Sequence, residues 1–160
     1  MPAQVRRVTA RAPGTDAAHL RLHLPGTADA VRDALAQCVS WLMDAGVRDG
    51  ACGTIELVVA ESLNNVVEHA YGGTGRGDIG LDLRLLPGGG VEVRIDDHGQ
   101  PMPQGALPDR GPPDLAVPRG DLPEGGFGWC LIRTLSSRLV YVRKNGRNRL
   151  FVRLDADRLG

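Results

Sequence analysis

Apolar and polar residues alternate at five places along the chain, which is the pattern of β-strands with one buried face. The alternation predicts strands over residues 19–24, 79–86, 91–97, 139–143 and 149–154. Pro25-Gly26 ends the first strand, the turn at 87–90 joins the second to the third, and Asn145-Gly146 joins the last two. The last four strands therefore form two hairpins, which favours a mostly antiparallel sheet.

Apolar residues that recur every three or four positions predict three helices. The first is capped by Thr27, runs to about Ala45 and is closed by Gly46. The second begins near residues 52–54 and continues to about Tyr71, and the third covers roughly residues 129–137. Hairpins interspersed with helices predict an α+β fold, a two-layer α/β sandwich whose mixed, mostly antiparallel sheet carries its helices on one face.

Two segments follow neither period. Residues 1–18 are expected to be an N-terminal arm before a single domain over residues 19–160. Residues 98–124 are rich in proline and glycine. A connection of that length inside a compact domain is usually a functional loop or a disordered segment, so we predict a lid there.

Composition excludes several classes of function. The 160 residues contain 19 acidic and 19 basic side chains, so no basic excess favours nucleic acid as a partner. No apolar run approaches the roughly 20 residues that span a bilayer, and no membrane partner is expected. Cys38, Cys52 and Cys130 are too widely separated for a disulfide framework, which is typical of a reducing compartment. We therefore expect a cytoplasmic protein.

The second predicted helix carries an unusual polar stripe. Glu61, Asn65 and Glu68 share one face, while the opposite face is apolar. One interpretation is an ordinary solvated face. Asparagine, however, prefers caps and turns to helix interiors. The second interpretation is that a carboxylate and an amide oxygen one turn apart serve a divalent cation and a hydroxyl beside it. His69, at the edge of the stripe, is expected to be structural.

Two further motifs accompany this helix. Asp97 and Gly99 end the third predicted strand, where a carboxylate can accept a hydrogen bond from an amine and glycine admits a planar ligand; the same motif is also common in turns. Gly125, Gly126 and Gly128 precede the third helix, whose amino-terminal N–H groups favour phosphate. Their spacing is neither the P-loop nor the dinucleotide fingerprint. The order of the three motifs is what favours a nucleotide site.

Taken together, these segments resemble the GHKL, or Bergerat-fold, ATP-binding superfamily, and within it the RsbW-like anti-sigma factor serine kinases. Residues 61–71 are similar to the N box, residues 97–99 to the G1 box, and residues 125–141 to the G2 box with the helix and strand after it. The resemblance covers about residues 20–154.

The resemblance implies ATP and Mg²⁺ as cofactors, and it implies a role for each motif. Asn65 would bind the Mg²⁺ that bridges the triphosphate. Asp97 would accept the adenine amino group, with Gly99 against the base. The glycines of 125–128 would lie along the phosphates. Glu61 would be the catalytic base that orients or deprotonates an attacking serine hydroxyl.

Members of that family bind a sigma factor and phosphorylate a serine of an antagonist protein, so both are expected partners here, and a homodimer is a further expectation. One alternative is an ATP-gated binding module without kinase activity. The chain departs from the family pattern in three places: Trp129 stands in place of a small aliphatic residue, Gln100-Pro101 follows the G1 box, and the last strand, 148–154, lacks Gly-Thr. The second and third departures favour the binding module. The other alternative is a stand-alone catalytic domain of the histidine-kinase type, although the chain contains no helical hairpin with a phosphorylatable histidine.

Overall fold

The computed structural model of the protein describes residues 4–8, 18–108 and 127–160. The strands are β1 (Arg6–Arg7), β2 (His19–Pro25), β3 (Asp78–Leu85), β4 (Val91–Asp97), β5 (Arg138–Lys144) and β6 (Arg147–Leu154). The helices are α1 (Ala28–Asp44), α2 (Asp49–Asn65) and α3 (Phe127–Leu135), with a π-helical turn at Val66–Ala70 and 3₁₀ turns at Pro103–Gly105 and Ala156–Arg158.

The six strands form one sheet in the order β1-β2-β3-β4-β6-β5, and every neighbouring pair in it is antiparallel. This confirms the predicted α+β sandwich with a mostly antiparallel sheet. Strand β1 was not predicted, because two residues are too short to show a period. It lies within the segment expected to be an arm and extends the sheet by pairing Arg6 with His23 and Arg7 with Leu22.

The core lies between the sheet and the helices. Helix α1 packs on β2 and helix α2 packs on β4. Alternate strand residues point into this layer and are fully buried: Leu20, Leu22, Leu24, Ile79, Leu81, Leu83, Val91, Val93, Ile95, Val152 and Leu154. Because burial of each such side chain contributes roughly 1.5–3 kcal/mol, this face fixes the register of the strands.

The opposite face of the sheet is lined by charged side chains. Asp82 of β3 accepts hydrogen bonds from Arg21 and His19, and it also pairs with Arg94 of β4. Burial alone would raise the pKa of Asp82, but the hydrogen bond from Arg21 and the charge of Arg94 together hold that pKa below its ordinary value. The native sheet therefore favours the ionised form of Asp82.

Helix α1 matches its prediction at both ends. The Thr27 hydroxyl accepts a hydrogen bond from the Ala30 N–H, as an N-cap does. Gly46, just beyond the helix, has a φ of +80°, the left-handed conformation that favours glycine at a helix end.

Helix α2 differs from its prediction. It begins three residues earlier than expected, at Asp49, and its α-helical winding ends at Asn65. The next turn is wider, and the Tyr71 N–H donates to the Val66 carbonyl five residues back. A single wide turn preserves the apolar pattern approximately, so the sequence predicted one uniform helix to Tyr71. No helix of the described ranges is long and apolar enough to cross a membrane.

Candidate functional site

Asp97, at the end of β4, is a buried carboxylate held by neutral donors. Its side chain is 4% exposed. Oδ1 accepts hydrogen bonds of 2.8 Å from the Gly99 N–H and from Nδ2 of Asn148. Burial raises the pKa of Asp97, because it removes water from the charged form, and these two hydrogen bonds only partly offset the effect. Both of these hydrogen bonds go to Oδ1, and Oδ2 accepts none from the part of the chain that the structure describes.

Asn148 is a site residue that the sequence analysis missed. It lies directly opposite Asp97 in the β4–β6 register and is 4% exposed. Its Oδ1 accepts hydrogen bonds from the Tyr141 hydroxyl (2.7 Å) and from Arg143 (2.6 Å). Asparagine was visible at this position as a departure from Gly-Thr, but the pairing of β4 with β6 connects two different hairpins. The sequence alone does not show which residue faces Asp97.

Gly99 lies against the π-helical turn. The N–H of Gln100 donates to the Ala70 carbonyl at 2.8 Å. A Cβ atom on Gly99 would lie 2.5 Å from that carbonyl oxygen and 2.7 Å from its carbon, distances that a side chain cannot adopt. Glycine is therefore needed at this position so that the end of β4 can pack on the end of the helix.

Tyr71 fixes the same corner from the other side. Its hydroxyl donates to the Asp78 carbonyl (2.7 Å) and accepts from the His98 N–H (3.1 Å), so it connects the start of β3 with the residue after β4. Burial raises the pKa of Tyr71, which keeps the hydroxyl protonated and able to donate. The residue after Asp97 and the start of the neighbouring strand are thus held by hydrogen bonds to one side chain.

Glu61 and Gly128 meet where α2 contacts α3. A Cβ atom on Gly128 would overlap the carboxylate of Glu61, so this carboxylate lies directly against the first turn of α3. The Glu61 side chain is half-buried. Gly125 and Gly126, the other predicted loop residues, lie outside the described residues.

Asn65 occupies the end of α2, one turn after Glu61 and five residues before Ala70. It is half-buried, and its Nδ2 atom is buried with no hydrogen-bond partner among residues 4–8, 18–108 and 127–160. A buried donor without a partner costs about 1–3 kcal/mol, so this group is suited to a bound ligand.

The remaining residues of the polar stripe and of α3 are either exposed, buried in the core or bonded to the backbone. Glu68 and His69 are exposed on the π-helical turn. Trp129, the bulky residue at a position expected to be small, is buried in the core without interrupting α3. Arg133 donates two hydrogen bonds to the Pro108 carbonyl, which fixes the last described residue of the predicted lid to α3.

Successive contacts connect the described site residues. Gly128 touches Glu61, and Asn65 follows Glu61 by one helical turn. The π-helical turn then leads to Ala70, which packs on Gly99, and Gly99 bonds to Asp97. The Glu61 carboxylate therefore contacts the start of α3, and the turn that follows Asn65 contacts the segment at the end of β4.

A family model described as a histidine kinase-like ATPase domain matches residues 24–154 of the chain. The match takes in β3 to β6, the last two residues of β2 and every site residue just described.

Two relatives with curated names are protein kinases. The serine-protein kinase RsbW of Halalkalibacterium halodurans is 38% identical over 95 residues, which span 58% of this chain and 56% of that protein. The serine/threonine-protein kinase BtrW of Bordetella bronchiseptica is 34% identical over 134 residues, which span 81% of this chain and 88% of that protein.

Among solved structures, the RsbU and RsbW domains of a Mycobacterium tuberculosis protein superpose with a TM-score of 0.59 at 21% identity. The match covers 88% of this chain and 32% of that one. At this level of identity the superposition supports the fold.

Proposed function

The chain belongs to the family of histidine kinase-like ATPase domains, and from that premise we propose that it is an ATP-dependent serine protein kinase that also binds a sigma factor. Membership of an ATPase family implies the use of ATP. The names of the two kinase relatives support transfer of phosphate to a protein serine. The observation that carries the proposal is the Glu61 carboxylate lying against the first turn of α3, one helical turn from Asn65.

In the proposed reaction, the adenine amine donates to the free oxygen of Asp97, and the base lies beside Gly99. The phosphates then extend towards the start of α3, where the amino-terminal N–H groups of a helix favour negative charge. The serine hydroxyl of the partner donates its proton to Glu61 as its oxygen attacks the γ-phosphorus, and ADP leaves. Such transfer depends mainly on positioning and electrostatics.

The side chains around Asn65 fit a magnesium ion held together with the nucleotide. The described residues contain no cluster of three His, Cys, Asp or Glu side chains that could bind a metal alone. Mg²⁺ usually binds through one or two protein oxygens plus substrate phosphates, so the amide oxygen of Asn65 is a sufficient protein ligand. The ion, when bound, would neutralise charge on the phosphates. The unpartnered Nδ2 of Asn65 would donate to a phosphate oxygen or to a water beside it.

We further propose a sigma factor and its antagonist protein as partners, with a cytoplasmic location and a homodimer as the assembly. This part rests on the resemblance of the three motifs to anti-sigma factor kinases. It also rests on treating residues 19–160 as one domain, with 98–124 as a lid over the nucleotide.

The first experiment tests Glu61. Glu61→Gln keeps the size of the side chain and removes its basicity, and Glu68→Gln, on the exposed π-helical turn, is the matched control. With labelled ATP, Mg²⁺ and an antagonist carrying the acceptor serine, we expect Glu61→Gln to lower the rate of phosphotransfer by about 10²–10⁴-fold. ADP affinity should change less than about threefold.

Undiminished phosphotransfer by Glu61→Gln would remove Glu61 from the mechanism. A wild-type protein whose affinity for its partner depends on nucleotide, but which forms no phosphoprotein, would instead be the ATP-gated binding module.

A further inference from the structure

We propose that Asn148 is the positioning residue for base recognition. Asn148 holds the Asp97 carboxylate in the orientation that accepts a hydrogen bond from an exocyclic amine. The amide of Asn148 also connects the segment after β4 to that carboxylate. The inference rests on the proposed nucleotide site and deepens it by naming what selects adenine.

The orientation of the Asn148 amide follows from its neighbours. Arg143 has only hydrogen-bond donors, so the atom of Asn148 that faces it at 2.6 Å must be the oxygen. On the other side, Nδ2 faces Oδ1 of Asp97 at 2.8 Å and the Gln100 carbonyl at 3.0 Å, both of which only accept. A flipped amide would place its oxygen against a carboxylate and a carbonyl. One orientation is therefore strongly preferred.

This orientation fixes what Asp97 can offer a ligand. Oδ1 already accepts from Gly99 and Asn148, and rotation of the carboxylate would break both bonds. A preorganised acceptor loses little entropy when a ligand binds. Adenine presents an amine to the remaining oxygen, whereas hypoxanthine presents a carbonyl, which a carboxylate repels. Discrimination between the two bases therefore depends on how firmly Asn148 holds Asp97.

The same side chain fixes the backbone that leaves the site. Its Nδ2 donates to the Gln100 carbonyl, while Arg143 donates to the Gly99 carbonyl at 3.0 Å. The Tyr141 hydroxyl, which donates to Asn148, also accepts from the Met102 N–H at 3.1 Å. A base that restricts the motion of the Asp97 side chain therefore strengthens the hydrogen bonds of residues 99–102 as well.

The test compares ADP with inosine diphosphate, which carries a carbonyl where adenine has its amine. Asn148→Leu removes the amide, and Tyr141→Phe is the matched control, because it removes the neighbouring hydroxyl and leaves the bond from Asn148 to Asp97. Calorimetry should show at least about tenfold weaker ADP binding for Asn148→Leu, with inosine diphosphate changed less than threefold. Tyr141→Phe should keep the wild-type ratio of the two affinities.

An unchanged ratio of ADP to inosine diphosphate affinity in Asn148→Leu, whether both affinities fall equally or neither falls, would overturn the assignment of Asn148. Asn148→Ala, which also removes the donor to Asp97 and has the same expected fall in the ratio, serves if the leucine variant does not fold.

A second measurement uses the wild-type protein. Saturating ADP should slow hydrogen exchange at the Met102 amide more than saturating inosine diphosphate does, and equal protection by both would contradict the link to residues 99–102. A wild-type protein that binds neither nucleotide would overturn the proposed function itself and this inference with it, which separates that failure from a failure of Asn148 alone.

Discussion

Asp96 and Asp97 are adjacent on β4, and both are almost completely buried, at 6% and 4% exposure. They point to opposite faces of the sheet, and their partners differ in kind. Asp96 faces outward and pairs with Arg94, Arg147 and Arg149, at distances of 2.7–3.3 Å. Asp97 faces the helices and is held by a backbone N–H and an amide.

The comparison shows that burial alone does not identify a functional carboxylate. Asp96 has both oxygens occupied by guanidinium groups, so its charge is neutralised and stabilises the sheet. Asp97 forms no ion pair with the residues that the structure describes, and burial raises its pKa. A buried charge that is held in place but not neutralised is available to a ligand. The following predictions test this distinction, starting with the largest expected effect.

The largest effect should be on nucleotide affinity. In Asp97→Asn, the amide oxygen must accept from Gly99 and Asn148, which leaves its NH₂ group facing the adenine amine. Loss of a hydrogen bond to a charged group costs about 1.5–3 kcal/mol, so calorimetry should show ADP binding roughly ten- to a hundredfold weaker. Asp96→Asn is the control, with wild-type affinity. A comparable loss in the control would mean that the two carboxylates do not have separate roles.

For the free energy of unfolding, Asp96→Asn should have a larger effect than Asp97→Asn. Asp96→Asn loses its attraction to three half-exposed arginines, and we expect the free energy of unfolding to fall by roughly 1–2 kcal/mol. Asp97→Asn removes a buried carboxylate that has no ion pair among the described residues, so its unfolding free energy should stay within about 0.5 kcal/mol of wild type or increase. Urea denaturation without nucleotide measures both. A greater destabilisation by Asp97→Asn would contradict the comparison.

The smallest effect should appear in acid, where ADP affinity should fall before the fold loses stability. Because burial raises the pKa of Asp97, this carboxyl takes up a proton at a higher pH than a free aspartate, and ADP affinity should fall as the pH drops through that value. The same protonation does not destabilise the fold, since it favours the native state. Comparison with Asp97→Asn removes the titration of the nucleotide itself, and this variant should lack the additional fall.

Protonation of Asp82 has the opposite effect on stability from protonation of Asp97. The lowered pKa of Asp82 stabilises the fold fully above the ordinary aspartate value of 3.8, and this contribution is lost only as the pH falls through the lower native value. Thermal unfolding across the acid range should therefore show the fold persisting after ADP binding has weakened. Simultaneous loss of binding and structure would contradict this prediction.

The fold was predictable where a signal is local and repeated. Alternating residues such as Leu20, Leu22 and Leu24 identify a strand because each second side chain is buried. Thr27 and Gly46 identify the ends of α1 because caps have specific chemistry. Strand β1 was missed because its two residues show no period, and the pairing of β4 with β6 was missed because it joins segments far apart in the chain.

The candidate site follows the same rule. Glu61, Asn65, Asp97 and Gly99 were predicted as site residues because they are polar or small residues in unusual positions within local motifs. Asn148 could not be identified in this way, since its importance depends on lying opposite Asp97 across two strands. Gly99 was expected to admit a planar ligand, and the structure adds a second reason for glycine, its packing against Ala70.

The wide turn at Val66–Ala70 sets the angular relation between two parts of the site. In an α-helix of 3.6 residues per turn, positions five apart are rotated by roughly 140° beyond a full revolution, so Asn65 and Ala70 would face different directions. Closure of the backbone over five residues brings such positions back towards alignment. The wide turn thereby lets Asn65 remain on α2 one turn after Glu61 while the Ala70 carbonyl, at its end, accepts from the Gln100 N–H beyond β4.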